Sequence, residues 1–108
     1  MKFKEYEQEI NKFAIYPEAG KGTPMALAYC ALGLTGESGE YSEKVKKLIR
    51  DGKLDKRLSA KELGDSLWYL TRSANELGYS LQDIAEINLV KLTDRQERGV
   101  LSGNGDER

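Results

Sequence analysis

Apolar and small residues recur at a 4-3-4-3 spacing in three stretches of this chain, and little but an α-helix places residues so spaced on one face. The first stripe is Leu27, Ala31, Leu34, Ser38, Tyr41, Val45 and Leu48; the second is Leu63, Leu67, Leu70, Ala74 and Leu77. The third is Leu81, Ala85, Asn88, Leu92 and Arg95, where an amide and a guanidinium interrupt an otherwise inward face. No segment shows the alternation of a half-buried strand.

Helix punctuation brackets each stripe. A first helix is expected from about Phe3 to Ile15, stopping before Pro17, with Pro17 to Gly22 as a loop. Thr23-Pro24 reads as an N-cap followed by proline at the first helical position, and Gly52 as the residue that ends that helix. Ser59-Ala60-Lys61-Glu62 matches a capping box, which would start the third helix there. Gly78 ends it, Ser80 caps the fourth helix with Asp83 at its third position, and Gly99 stops that one. The expected fold is all-α: a four-helix bundle forming one domain over residues 1–108, with a core of about 25–98 and a short polar tail, 100–108.

Composition removes several chemistries. There is no histidine and one cysteine, Cys30, so Ser-His-Asp and Cys-His machinery, Cys/His zinc sites and Glu-x-x-His di-iron sites are excluded. Any metal must sit on oxygen ligands, which suits Mg²⁺, Mn²⁺ or Ca²⁺. The 17 basic and 18 acidic residues leave a net charge of −1, which gives no electrostatic case for a nucleic-acid polymer. No apolar run is long enough for a membrane span, and Met1-Lys2-Phe3-Lys4-Glu5 lacks the apolar region of a signal peptide. With a lone cysteine, the expectation is a reducing, cytoplasmic setting.

Two oddities sit on the second helix. Gly33, Gly36 and Gly39 lie three apart in its interior, at a cost of about 0.8–1 kcal/mol each against alanine. Either the helix breaks there, or a neighbouring backbone or ligand comes close. Between the glycines, Glu37 and Glu40 share a face at the border of the apolar stripe. Glu62 and Asp65 repeat that arrangement beside the third helix's stripe, so four carboxylates from two packed helices are placed to converge. Uncompensated, they would repel; hard divalent cations resolve the conflict. Any single acidic pair is more simply a solvated face, and Glu40/Glu43 and Asp83/Glu86 offer the same spacing.

The pattern Glu37-x-x-Glu40, 21 residues, Glu62-x-x-Asp65 resembles the signature of MazG-like nucleoside triphosphate pyrophosphohydrolases. Its context is similar too: Leu32-Gly33-Leu34-Thr35-Gly36-Glu37-Ser38-Gly39-Glu40, then Lys61-Glu62-Leu63-Gly64-Asp65-Ser66-Leu67-Trp68-Tyr69-Leu70. The resemblance spans roughly residues 25–98. It implies an all-α fold assembled as a homodimer or homotetramer, and Mg²⁺-dependent cleavage, with Mn²⁺ an alternative, of a nucleoside triphosphate to monophosphate and pyrophosphate. Carried over residue by residue, Glu37, Glu40, Glu62 and Asp65 become metal ligands, with Glu40 the candidate for activating water. A catalytically inactive nucleotide- or metal-binding module on the same fold, or a plain helical oligomerisation domain, stand as alternatives.

A triphosphate needs cations. Lys44, Lys46, Lys47 and Arg50 follow the first acidic pair; Lys47 lies two turns beyond Glu40 on its face and is the candidate, though a solvated lysine fits equally. The run Asn88-x-x-Lys91-x-x-x-Arg95 is similar to the family's substrate-binding helix, with Lys91 and Arg95 suited to phosphate and Asn88 to sugar or base. The competing reading is cations complementing a helix C-terminus. Tyr69, one turn after Asp65, is placed to stack on a base or hold a ribose, while Trp68 is expected in a core or interface. The ending Gly103-Asn104-Gly105-Asp106-Glu107-Arg108 resembles those of some short MazG-like proteins; disorder is the default for a terminus, folding over a nucleotide the alternative. In contrast to tandem members, a single short domain is expected, and the Lys53–Leu58 loop leaves little material for a lid.

Overall fold

The computed structural model describes residues 1–108 and is all-helical. Helix α1 covers Phe3–Ile10 and continues as a 3₁₀ turn, Asn11–Phe13; α2 covers Pro24–Asp51, α3 Lys56–Glu76 and α4 Leu81–Glu97. Most boundaries follow the expected chemistry. The Thr23 hydroxyl accepts from the Ala26 amide, Gly52 closes α2 at φ 73°, and Ser80 and Asp83 form a reciprocal capping box.

Two boundaries depart from the sequence reading. The first helix ends at Ile10 and tightens into the 3₁₀ turn rather than running to Ile15. Helix α3 starts at Lys56, not after Ser59, because the Asp55 carboxylate caps it, accepting from the Leu58 amide at 3.0 Å. Ser59 is buried inside the helix, its hydroxyl donating to the Asp55 carbonyl at 2.8 Å. Glu62 is therefore released from any capping duty and stands one and a half turns inside α3.

Helices α2 and α3 pack against each other as an antiparallel hairpin, and the turn between them is shorter than expected. Its open end is tied by Glu76. That carboxylate accepts from the Gly20 amide at 2.7 Å, the Gly22 amide at 2.9 Å, the Tyr16 hydroxyl and the Arg72 guanidinium. Both ionised side chains are almost completely buried, a cost offset by their hydrogen bonds, since Arg72 also donates to Tyr16, Asn11 and Asn75. The network pins the 16–23 loop across the end of α3 and so sets where α2 begins. Tyr16 then packs with Ala26 and Cys30, and Trp68 closes the cluster, as expected for a core tryptophan.

Helix α4 packs chiefly against α1 and α3; Glu7 links them by accepting from the Leu81 amide at 2.6 Å and from Asn75 at 3.0 Å. The four helices and the absence of strands are as expected; within one chain α2 and α3 form a hairpin and α4 an arm on α1 and α3. The radius of gyration is 16.4 Å, against about 13 Å for a compact chain of this length. Large apolar side chains remain outside, including Leu32 (74% exposed) on α2 and Leu89 and Val90 (70% exposed) on α4. No helix is long and apolar enough to cross a membrane.

Candidate functional site

Carboxylate oxygens of Glu37, Glu62 and Asp65 lie within 4.8 Å of one another. The hairpin creates this group. Glu37 projects from the middle of α2, and Glu62 and Asp65, one turn apart on α3, meet it across the helix pair. Burial, followed by the charges of Asp65, Glu62 and Glu40, pushes the Glu37 carboxyl above its ordinary value. The counter-charge at hand is Lys44, whose ammonium is 3.9 Å from Glu62. Three hard oxygen donors with surplus negative charge match the requirement of Mg²⁺ or Mn²⁺. Glu40, one turn beyond Glu37, is exposed and its carboxylate stands outside the three, close enough to act on Glu37 by charge.

The glycines on α2 divide by role. The helix runs unbroken through all three. A Cβ on Gly33 would sit 2.2–2.5 Å from three atoms of the Tyr69 ring, so Gly33 exists to let that ring lie on the helix backbone. Gly36 and Gly39 face open space. Tyr69 is thus held between Gly33 and the acidic group; burial, then Tyr29 and the Glu37 charge, push its hydroxyl up. Its ring meets Trp68 edge-on at 5.0 Å and approaches Tyr29 at 6.5 Å, while Tyr29 stacks on Tyr16 at 5.2 Å. An aromatic ladder therefore runs from the buried Glu76 network to the carboxylates.

The expected cations are dispersed. Lys47 is exposed and makes no ion pair, whereas Lys44, two turns after Glu37, is the lysine that reaches the acids. The rule that singles out Lys47 from Glu40 also finds Lys44 from Glu37. Asn88 is exposed on α4. Lys91 and Arg95 do not touch the acidic group; both are engaged by Asp106 of the C-terminal segment, at 2.7 Å and 3.0 Å. Spacing singles out Gly33 but does not name Tyr69 as its neighbour, and Tyr29 carries no sequence signal for the stack it makes on Tyr16.

Comparison with known proteins identifies the family. Residues 27–100 match the MazG nucleotide pyrophosphohydrolase domain, a span that contains the acidic group and the polar positions of α4. The chain belongs to the MazG nucleotide pyrophosphohydrolase family. It is also similar to the Gene 37 protein of Mycobacterium phage L5, with 42% identity over 110 residues that cover 95% of this chain and 96% of that protein. No solved structure matches.

Proposed function

We propose that the protein hydrolyses a ribo- or deoxyribonucleoside triphosphate to the monophosphate and pyrophosphate, in nucleotide-pool housekeeping in the cytoplasm. The observation that carries the reading is the meeting of Glu37, Glu62 and Asp65 across two helices, in a chain of this family. These three residues would hold Mg²⁺ or Mn²⁺, with Glu40 beside them. When bound, the ion neutralises charge on phosphate oxygens and lowers the pKa of water.

The remaining work falls to the chain. Glu40 is exposed and outside the three, so it is the carboxylate left to accept a proton from the attacking water. That water's oxygen bonds to the α-phosphorus, the bond to the bridging oxygen breaks, and pyrophosphate departs. Tyr69, fixed on Gly33 beside the acids, offers its hydroxyl and ring edge to the ribose or base. Lys47 and Lys91 supply positive charge for the phosphates and Asn88 an amide for sugar or base, while Arg95, buried and engaged by Asp106, stands behind Lys91.

Because α4 stands apart from the acids, a second copy is required to bring its cations to them. The solvent-accessible surface supports this. It is 7895 Å², roughly 1,900 Å² more than a compact monomer of 12.1 kDa exposes. An ordinary interface takes about 800 Å² from each partner, so the excess matches an obligate homodimer or homotetramer. Sedimentation equilibrium at micromolar concentration is expected to give twice or four times the chain mass; a monomer of 12.1 kDa refutes the assembly.

The activity is tested by pyrophosphate release from a panel of ribo- and deoxyribonucleoside triphosphates with Mg²⁺ and with Mn²⁺. Turnover abolished by EDTA and by Asp65→Asn, with the helical fold retained, is the expected outcome. Nucleotide-dependent thermal stabilisation without release would leave an inactive binding module, and no response to nucleotide or metal a helical oligomerisation domain.

A further inference from the structure

Residues 101–108 lie beyond the family match and outside the proposed chemistry, yet they are folded. The Arg108 guanidinium donates to the carbonyls of Val100 at 3.0 Å, Leu101 at 2.8 Å and Gly105 at 2.7 Å, so residues 100–108 wrap around their own last side chain. Arg98 of α4's end donates to the Arg108 carbonyl oxygen. The glycines are fitted to this path. Gly105 has φ 85°, and a Cβ on Gly103 would sit 2.8 Å from Arg108 Cδ.

The wrap returns Asp106 over α4. Its Oδ1 accepts from Lys91 Nζ at 2.7 Å and from Arg95 Nη2 at 3.0 Å, and Arg95 Nη2 also donates to the Asp106 carbonyl. These bonds hold the Asp106 carboxyl below its ordinary value. Arg95 is buried beneath the segment, whereas Lys91 stays partly open and lines a groove of about 590 Å³ with Ile87 and Val90. An ammonium has three donors, and Asp106 takes one of them. A segment merely competing with phosphate would be loose and would cover Lys91. This one is built around Arg108, buries Arg95 and leaves Lys91 accessible.

We infer that Asp106 is a positioning residue: anchored by Arg95 and the Arg108-centred wrap, it fixes the Lys91 ammonium for the phosphates of the nucleotide. Arg95 is accordingly the anchor of the segment and not itself a phosphate contact. The identity of the ligand rests on the function proposed above.

The test compares the full-length protein with Asp106→Ala, Asp106→Glu, Lys91→Met and the Asp106→Ala/Lys91→Met pair. KM and kcat are measured for the best nucleotide, and Kd for a non-hydrolysable α,β-methylene triphosphate with Ca²⁺. Asp106→Ala is expected to raise KM and Kd about fivefold, with kcat within about twofold and the melting temperature held. Asp106→Glu should restore much of the affinity, and Asp106→Ala should add nothing in the Lys91→Met background. Unchanged or lowered KM and Kd in Asp106→Ala, or a full additional loss in the pair, overturns the inference. If the wild type binds the analogue without turnover, the hydrolase reading fails and the Kd comparison still decides this one; if it binds nothing, both fail.

Discussion

Replacing Glu37 by glutamine should stabilise the metal-free protein and weaken its response to Mg²⁺. Glu37 has a carboxylate oxygen within 4.8 Å of both Glu62 and Asp65. Two unit charges at that distance repel by about 0.9 kcal/mol in the dielectric of water and about 3.5 kcal/mol at an effective value of 20. Asp65 is exposed, Glu62 is half-buried, and Lys44 lies 3.9 Å from Glu62, so solvent and the lysine keep each repulsion near the lower figure. Removing one charge relieves two repulsions, about 1–2 kcal/mol together, which corresponds to a rise of about 5–10 °C in melting temperature. The sign with pH follows from the raised Glu37 carboxyl. Protonated, it repels nothing; the destabilisation grows as pH rises through its unfolded value to its higher folded value and is complete above that. The advantage of Glu37→Gln should therefore be smallest in acid and grow as pH rises. Mg²⁺ should reverse the order at pH 7, because the wild type gains about 2.7 kcal/mol at a hundredfold excess over Kd and the variant gains less. Thermal unfolding at fixed protein concentration, in EDTA and in a Mg²⁺ series, reads both effects. A variant less stable than wild type in EDTA, or equal Mg²⁺ gains, refutes the reasoning.

The Glu76 network provides a structural counterpart. Glu76→Ala leaves Arg72 buried without its counter-charge and strips the Gly20 and Gly22 amides of their acceptor, which should cost about 3–5 kcal/mol in urea unfolding at pH 7; a cost below about 1 kcal/mol would count against it. Burial alone would raise the Glu76 carboxyl, but Tyr16, the two amides and Arg72 outweigh it and lower it. Its stabilisation is thus complete above the unfolded carboxyl value and is lost as pH falls through the folded one, so the difference between wild type and variant should shrink in acid.

The helices were legible because their signals are local. Thr23-Pro24, Gly52, Ser80 with Asp83, and Gly99 act within one turn of where they stand, and the structure uses each. The one misplaced start, at Ser59 instead of Asp55, pits two good capping residues against each other, and the structure uses Asp55 and buries Ser59 within the helix. The acids were legible for a related reason. Spacing on each helix fixes which face Glu37, Glu62 and Asp65 occupy, and two such faces on successive helices have few ways to pack. Residue type, however, does not report distance. Glu40 shares the motif yet stands outside the group, and Lys44 rather than Lys47 reaches it, because the crossing of α2 and α3 decides which turn of one faces which turn of the other.

By itself, then, the sequence determined four helices, their faces and an all-oxygen acidic centre, since caps, glycines and a 3.6-residue period act over short range. Tertiary structure alone decided that Gly33 makes room for Tyr69, that Glu76 locks the 16–23 loop, that α4 swings away from the acids, and that the tail folds back onto Lys91 and Arg95. Those contacts join residues from 11 to 60 positions apart, and no local propensity encodes which distant partner a buried ring, amide or carboxylate will find.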